Sequence, residues 1–245
     1  MLRSASRSLG VGGLLKGAIL IISDDEHVRA QIEQSLNNRG FNIVSADSAD
    51  EGIRRALADK PNLICLDADM ATSNASLVCQ ELRKNTFVPI ILLGSRSDET
   101  DVVFALGMGA DYYLVKPFRN PELAAYAEAA IRRETIYCRL RTDCEIIRIK
   151  DLVIDLCAHE LRCNGRLIPL SPTEFRLVEV LAKNAGRTMT RNQLLDSVWE
   201  LKADGIYSRT VDVHIGRIRR KIGDDPIKPQ YILTVPGFGY KMVSG

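Results

Sequence analysis

The stretch Ala18-Ile19-Leu20-Ile21-Ile22-Ser23-Asp24-Asp25 decides how the first half of this chain folds. An unbroken apolar run that stops at a cluster of acids reads as a buried β-strand with polar side chains emerging at its end. The pattern returns at residues 41–45, 63–66, 90–93 and 113–115, and amphipathic segments separate these runs. Val28, Ile32 and Leu36 recur at helical spacing, as do Ile53, Ala56 and Leu57. A last helix opens at Asn120, carries Pro121 in its first turn and extends to about Arg133. Five strand–helix units with continuously apolar strands predict an α/β domain, a doubly wound five-stranded parallel sheet covered on both faces. In such sheets the chemistry gathers beyond the carboxyl ends of the strands. Asp24 and Asp25 follow the first strand, Asp67 ends the third and Lys116 ends the fifth.

At 245 residues the chain has room for two domains, and 46% hydrophobic with 26% charged residues is the balance of a globular protein. No apolar run approaches the roughly 18–20 residues that span a bilayer, so the expectation is a cytoplasmic protein without a membrane partner. The net charge of +2 conceals a division. Residues 1–145 carry 17 Lys/Arg against 20 Asp/Glu, and residues 146–245 carry 16 against 11. An acidic first half suits a metal or phosphate site, and a basic second half suits a polyanion. The six cysteines, Cys65, Cys79, Cys138, Cys144, Cys157 and Cys163, form no CxxC pair and read as free, mostly buried thiols. Residues 1–17 contain Arg3, Arg7, Lys16, three serines and no acid, which reads as a flexible tail.

The second half has another rhythm. Four short strands are expected at residues 146–149, 152–154, 160–163 and 166–169. Ser171-Pro172-Thr173-Glu174 is a capping box with proline at the first helical position, and Thr190-Arg191-Asn192-Gln193 is a second box. A third helix spans residues 208–222, and residues 231–235 and 240–243 form a closing hairpin across Pro236-Gly237-Phe238-Gly239. In the third helix Val211, Ile215, Ile218 and Ile222 form an inward stripe. Arg209, Arg217, Arg219, Arg220 and Lys221 flank it, against the single acid Asp212. A charge run on a helix is usually a solvated face; as the second element of a helix-turn-helix it reads as a recognition helix in the major groove.

Clustered carboxylates raise one another's pKa unless a cation sits among them. The expectation is Mg²⁺ at Asp24, Asp25 and Asp67, Asp67 as phosphoryl acceptor, and Lys116 neutralising the incoming phosphate. The bland alternative is that these acids cap helices and face water. A rival reading takes Asp67-Ala68-Asp69 as the D-x-D of a phosphohydrolase, although Ala71 stands where that pattern wants Thr or Val.

Residues 19–26, Leu66-Asp67, Gly109-Ala110-Asp111-Tyr112-Tyr113 and Lys116-Pro117-Phe118 resemble the receiver domain of two-component response regulators. Residues 170–177, 193–199, 209–215 and Gly237-Phe238-Gly239-Tyr240 resemble the winged-helix effector of OmpR/PhoB-type regulators. The resemblance implies a tail at 1–17, a receiver at 18–133, a linker at 134–145 and an α+β winged helix-turn-helix at 146–245. It implies a non-enzymatic transcription regulator that takes phosphate from a histidine kinase at Asp67, with Lys116, Ser95 and Tyr113 as phosphate-binding and switch residues. Arg217 is expected on a base edge and Arg209, His214, Arg219, Arg220, Lys221 and Thr234 around the duplex. Expected partners are double-stranded DNA with repeated half-sites and RNA polymerase, the latter through residues 199–207.

The receiver departs from its family at informative places. Gly94 occupies the position of the switch hydroxyl, and Ser95 could substitute for it only through a shifted loop. Where the fourth helix, fifth strand and fifth helix usually carry ion pairs between two receivers, this chain has Val102, Gly107, Tyr112, Tyr126 and Glu128, with only Glu122 agreeing. Val102, Tyr112 and Tyr126 are therefore expected to form an exposed apolar patch, with Glu122 beside it, through which the chain dimerises. These departures suggest a regulator active without phosphorylation, with the kinase-driven switch at Asp67 as the alternative.

Overall fold

The computed structural model describes residues 17–139, 145–199 and 209–244. The first domain is built from β1 (Ala18–Ile22), α1 (Glu26–Leu36), β2 (Asn42–Ala46), α2 (Ala49–Asp59), β3 (Leu63–Asp67), α3 (Ala75–Asn85), β4 (Ile90–Gly94), α4 (Glu99–Met108), β5 (Tyr112–Val115) and α5 (Asn120–Arg139). Its five strands are all parallel in the order β2-β1-β3-β4-β5. The apolar strands are continuous because successive side chains enter two different cores. Ile19, Ile21, Leu63, Cys65, Ile91, Leu93, Tyr112 and Leu114 pack towards α1 and α5. Leu20, Ile22, Ile64, Leu66, Ile90, Leu92 and Tyr113 pack towards α2, α3 and α4. The expected fold and strand positions hold to within a residue or two, whereas α5 continues to Arg139, into the segment expected as linker.

The second domain opens with an antiparallel sheet of β6 (Ile146–Ile149), β7 (Leu152–Asp155), β8 (Glu160–Cys163) and β9 (Arg166–Ile168). Three helices follow, α6 (Pro172–Lys183), α7 (Arg191–Trp199) and α8 (Arg209–Ile222). A second sheet in the order β10-β12-β11 is formed by β10 (Met189–Thr190), β11 (Ile232–Val235) and β12 (Gly239–Met242). Both capping boxes are present. Ser171 N–H donates to Glu174 Oε2 at 2.8 Å and Glu174 N–H to Ser171 Oγ at 3.4 Å. Thr190 N–H donates to Gln193 Oε1 at 2.9 Å and Gln193 N–H to Thr190 Oγ1 at 3.1 Å. Each box satisfies helix N-terminal donors that would otherwise lack partners. Cys65, Cys79 and Cys163 are buried free thiols, as expected, and Cys157 is half-buried; Cys144 lies outside the described residues.

The domains meet where α8 lies against α4. Gly109 makes this junction possible by ending α4 at φ +139°, a conformation that a side chain would strain, and the chain turns there into Ala110 and Asp111. Asp111 is fully buried. Its Oδ2 accepts from Ile90 N–H at 2.9 Å and from Arg83, while Oδ1 accepts from Ser171 Oγ of the second domain at 2.6 Å. Trp199 Nε1–H donates to the Asp111 carbonyl at 3.4 Å.

Candidate functional site

Asp67 ends β3 at the carboxyl edge of the parallel sheet and is 2% exposed. Lys116 Nζ donates to its Oδ1 at 2.5 Å, Asp69 N–H to the same oxygen at 2.9 Å, and Ser23 Oγ to Oδ2 at 2.8 Å. Lys116 also lies 3.2 Å from Asp69 Oδ2. The structure thus brings Asp67 and Lys116 together across the sheet. Asp24 faces the loop after β3, where its Oδ2 accepts from Thr72 N–H at 3.0 Å and Thr72 Oγ1–H at 2.9 Å.

Two of the expected pocket residues stand elsewhere. Asp25 is the N-cap of α1 and accepts from His27 N–H at 2.8 Å and Val28 N–H at 3.4 Å. Its carboxylate is turned to the helix start, so it does not join Asp67. Ser23 takes the inner place instead, a residue the sequence reading passed over although it directly follows the last apolar residue of β1. Ser95 binds Asp69, not Asp67, through its N–H at 2.9 Å and its hydroxyl at 3.1 Å.

Among the described residues no three His, Cys, Asp or Glu side chains gather into a metal-holding group. A Mg²⁺ ion keeps several waters and needs only one or two carboxylates beside phosphoryl oxygens. The set here, Asp24 and Asp67, meets that minimum, and Asp25 drops out of it.

The apolar patch expected at the receiver surface does not exist. Val102, Tyr112 and Tyr126 are 1%, 3% and 2% exposed. Tyr112 and Tyr126 meet edge to face between β5 and α5, with centroids 5.7 Å apart and planes at 74°, and Val102 points from α4 into the second core. Tyr112 lies on a strand covered on both faces and so has no outward direction, while Val102 and Tyr126 lie on the helix faces turned to the cores. Glu122, in the first turn of α5, remains half-exposed and accepts from Arg119 N–H at 3.4 Å.

In α8 the stripe Val211, Ile215, Ile218 and Ile222 is buried as expected. The cations around it are already engaged to different degrees. Arg209 pairs with Glu99 of α4 at 3.5 Å, and Arg220 is exposed. Arg219 is 7% exposed and donates to the Ile232 carbonyl at 2.6 Å and to Thr234 Oγ1 at 2.9 Å, tying the helix to the hairpin. Lys221 pairs with buried Glu174 at 2.6 Å and lies 5.5 Å from the Phe87 ring centroid of the first domain. Arg217, expected on a base edge, is only 7% exposed. Its guanidinium donates to the carbonyls of Leu106 and, at 3.3 Å, Ala110. These carbonyls belong to the last turn of α4 and the residues beyond it, the negative end of that helix, where a cation is favourable by about 0.3–1 kcal/mol and up to ~2 when partly buried. Residues 200–208, which carry most of the expected polymerase-contacting loop, lie outside the described residues.

His214 is fully buried between Arg217 and Trp199, with ring centroids 5.3 Å apart towards the tryptophan, and its Nε2 has no partner among the described residues. Burial, and then the charges of Arg217, Arg83 and Lys221, hold its pKa well below 6.5. A histidine kept neutral in the folded chain and titrating near 6.5 once exposed destabilises the packed state as pH falls below about 6.5. The expected slope is up to about 1.4 kcal/mol per pH unit. Unfolding midpoints measured between pH 8 and pH 5 should therefore fall on the acid side in the wild type, and His214→Phe should flatten that limb. Equal acid slopes in the two proteins would contradict a neutral His214.

A phosphoacceptor-type carboxylate paired with lysine at the edge of a (βα)5 sheet, joined to a winged helix, defines a receiver-linked regulator of transcription. Residues 19–128 match the response regulator receiver domain, and residues 165–242 match the C-terminal domain of transcriptional regulatory proteins. The chain belongs to the two-component response regulators of OmpR/PhoB type. It is 38% identical over 92% of its length to a probable transcriptional regulator, ycf27, of Porphyridium aerugineum, covering 95% of that protein. It is 33% identical over 92% of its length to the KDP operon regulator KdpE of Escherichia coli, covering 98% of it. A solved structure of a RitR mutant shares the fold with TM-score 0.72 at 24% identity, over 93% of this chain and 99% of that one. The Asp67-Ala68-Asp69 segment falls inside the receiver match. Members of the family are DNA-binding regulators, generally not enzymes, and no helix among the described residues is long and apolar enough to cross a membrane.

Proposed function

We propose that this chain is a sequence-specific DNA-binding regulator whose receiver holds the recognition helix shut and releases it when Asp67 is phosphorylated by a histidine kinase. One observation carries the reading: the guanidinium of Arg217 caps α4 of the receiver through Leu106 and Ala110. The same group cannot cap α4 and reach a base edge, so docking and DNA reading exclude each other. The path from pocket to helix is short, because Ser95 and Asp69 tie the pocket to the loop that leads into α4. The grounds for a phosphorylation-independent regulator are weaker here. The apolar dimer patch is core, and the pocket pairs Asp67 with Lys116.

Once α8 is released, Arg217 is assigned to a base edge, Arg209, Arg220 and Lys221 to phosphates, Arg219 and Thr234 to holding the hairpin against the groove, and His214 to the helix's packing. Acetyl phosphate should raise the affinity of the full chain for a duplex selected from a random-sequence pool by roughly tenfold or more, about 1.4 kcal/mol. Asp67→Asn should remove that gain. Equal gains in wild type and Asp67→Asn, measured by fluorescence anisotropy, would overturn the reading.

A further inference from the structure

Gly94 ends β4 between the two chemical residues of the pocket. Ala68, which follows Asp67, donates its N–H to Leu93 O at 2.7 Å, and Lys116 donates its N–H to Gly94 O at 2.8 Å. Gly94 thus lies on the strand between the two that carry Asp67 and Lys116, and it has no side chain. The space is not empty. The position that a Cβ of residue 94 would take lies 2.2 Å from the Tyr113 hydroxyl oxygen and 3.0 Å from Ala68 Cβ. Tyr113 comes from β5, where it pairs with Leu92, and its ring is buried. A phenol hydroxyl can donate as well as accept, so Tyr113 has a proton to offer a phosphoryl oxygen.

We propose that the Tyr113 hydroxyl is the phosphoryl-binding hydroxyl of this pocket, delivered from β5 into the space that Gly94 leaves on β4. The inference rests on Asp67 as acceptor. In the reaction with acetyl phosphate an Asp67 oxygen forms the new bond to phosphorus. The bond from phosphorus to the acetyl oxygen breaks, and acetate leaves with that electron pair. Lys116 balances the charge, and Tyr113 donates a hydrogen bond to a phosphoryl oxygen without giving up its proton. Burial, and then the charge of Asp69, push the phenol up to about 12, so it remains a donor across the physiological range. Ser95 does not compete for the role, because its hydroxyl is engaged with Asp69 on the exposed side. The arrangement also reaches α4. Tyr113 shares a cleft of about 610 Å³ with Phe104 and Ala105 of that helix, so a pull on the phenol is felt by the element that holds Arg217.

The test uses the full-length chain and acetyl phosphate, with phosphorylation of Asp67 followed by phosphate-retarding electrophoresis. Tyr113→Phe keeps the ring and removes the hydroxyl, and it should slow labelling roughly ten- to a hundredfold, the range for losing one preorganised donor. Gly94→Ala removes no polar group but evicts the phenol, and it should show a similar loss. Gly94→Thr combined with Tyr113→Ala moves a hydroxyl to β4 and clears the ring from its path, and it should regain most of the rate. Wild-type labelling in Tyr113→Phe, or no recovery in the double variant when both variants unfold at wild-type midpoints, overturns the inference alone. If Tyr113→Phe does not fold, the outcome of Gly94→Ala decides. No label in the wild-type chain, or undiminished label in Asp67→Asn, overturns the acceptor reading together with it.

Discussion

Gly107→Gln is expected to raise the affinity of the full chain for DNA by roughly ten- to a hundredfold without any phosphoryl donor. Gly107 lies in α4, and a Cβ built on it would sit 4.0 Å from Val213 Cγ1 of α8, ordinary van der Waals contact. A methyl group fits in that gap, but four further heavy atoms do not, so the longer side chain wedges the helices apart. The substitution does not harm α4 itself, because glutamine is favoured over glycine in a helix interior by roughly 0.5–1 kcal/mol. The gain has a ceiling set by how strongly the docked form predominates. A docked form favoured by about 1.4–2.7 kcal/mol hides the recognition helix in some 90–99% of molecules, and full release returns that factor to the apparent affinity. The measurement is anisotropy on a selected duplex, alongside the protease sensitivity of the segment between the domains. If the wedge opens the domains and the affinity stays at the wild-type value, docking does not gate DNA binding.

The parts that were legible in the sequence are those fixed by local rules. Strand positions follow from apolar runs that stop at Asp67 or Lys116, and both capping boxes follow from four-residue signatures that close on themselves. The errors fall where two physical uses share one residue type. An aspartate after a strand is a metal ligand or a helix cap according to one backbone turn, and Asp25 is the cap. An aromatic residue on a helix or an edge strand is a sticky surface or a core according to which face is covered, and Tyr112 and Tyr126 are core. The burial of Arg217 was illegible for another reason. Its partner carbonyl on Ala110 lies 107 residues away in the chain, across a domain junction, and backbone carbonyls carry no residue identity to read. The Gly94–Tyr113 exchange left a faint trace, a glycine at one strand end and, two residues before its partner Val115, a bulky aromatic on the neighbouring strand.

Arg217→Ala should separate the two tasks that this guanidinium performs, because they push DNA binding in opposite directions. In the docked form the substitution strips the cap from α4 and leaves the Ala110 carbonyl without its guanidinium donor in a buried junction, while Leu106 retains the Gly109 N–H at 3.2 Å. An unsatisfied buried polar group costs about 1–3 kcal/mol, so the domains should separate more readily. That effect alone would favour binding to any duplex through Arg209, Arg220 and Lys221. In the bound form, however, the bidentate reader is gone, and discrimination should fall by about 1–3 kcal/mol. The expected signature is therefore a loss of roughly ten- to a hundredfold in the ratio of specific to non-specific affinity, with non-specific binding undiminished or stronger. Arg217→Lys sharpens the test, since lysine keeps the charge but not the planar fork. It should keep the salt dependence near wild type and still lose discrimination. A specificity ratio unchanged in both variants would mean that Arg217 serves only as the latch and that another residue of α8 reads the bases.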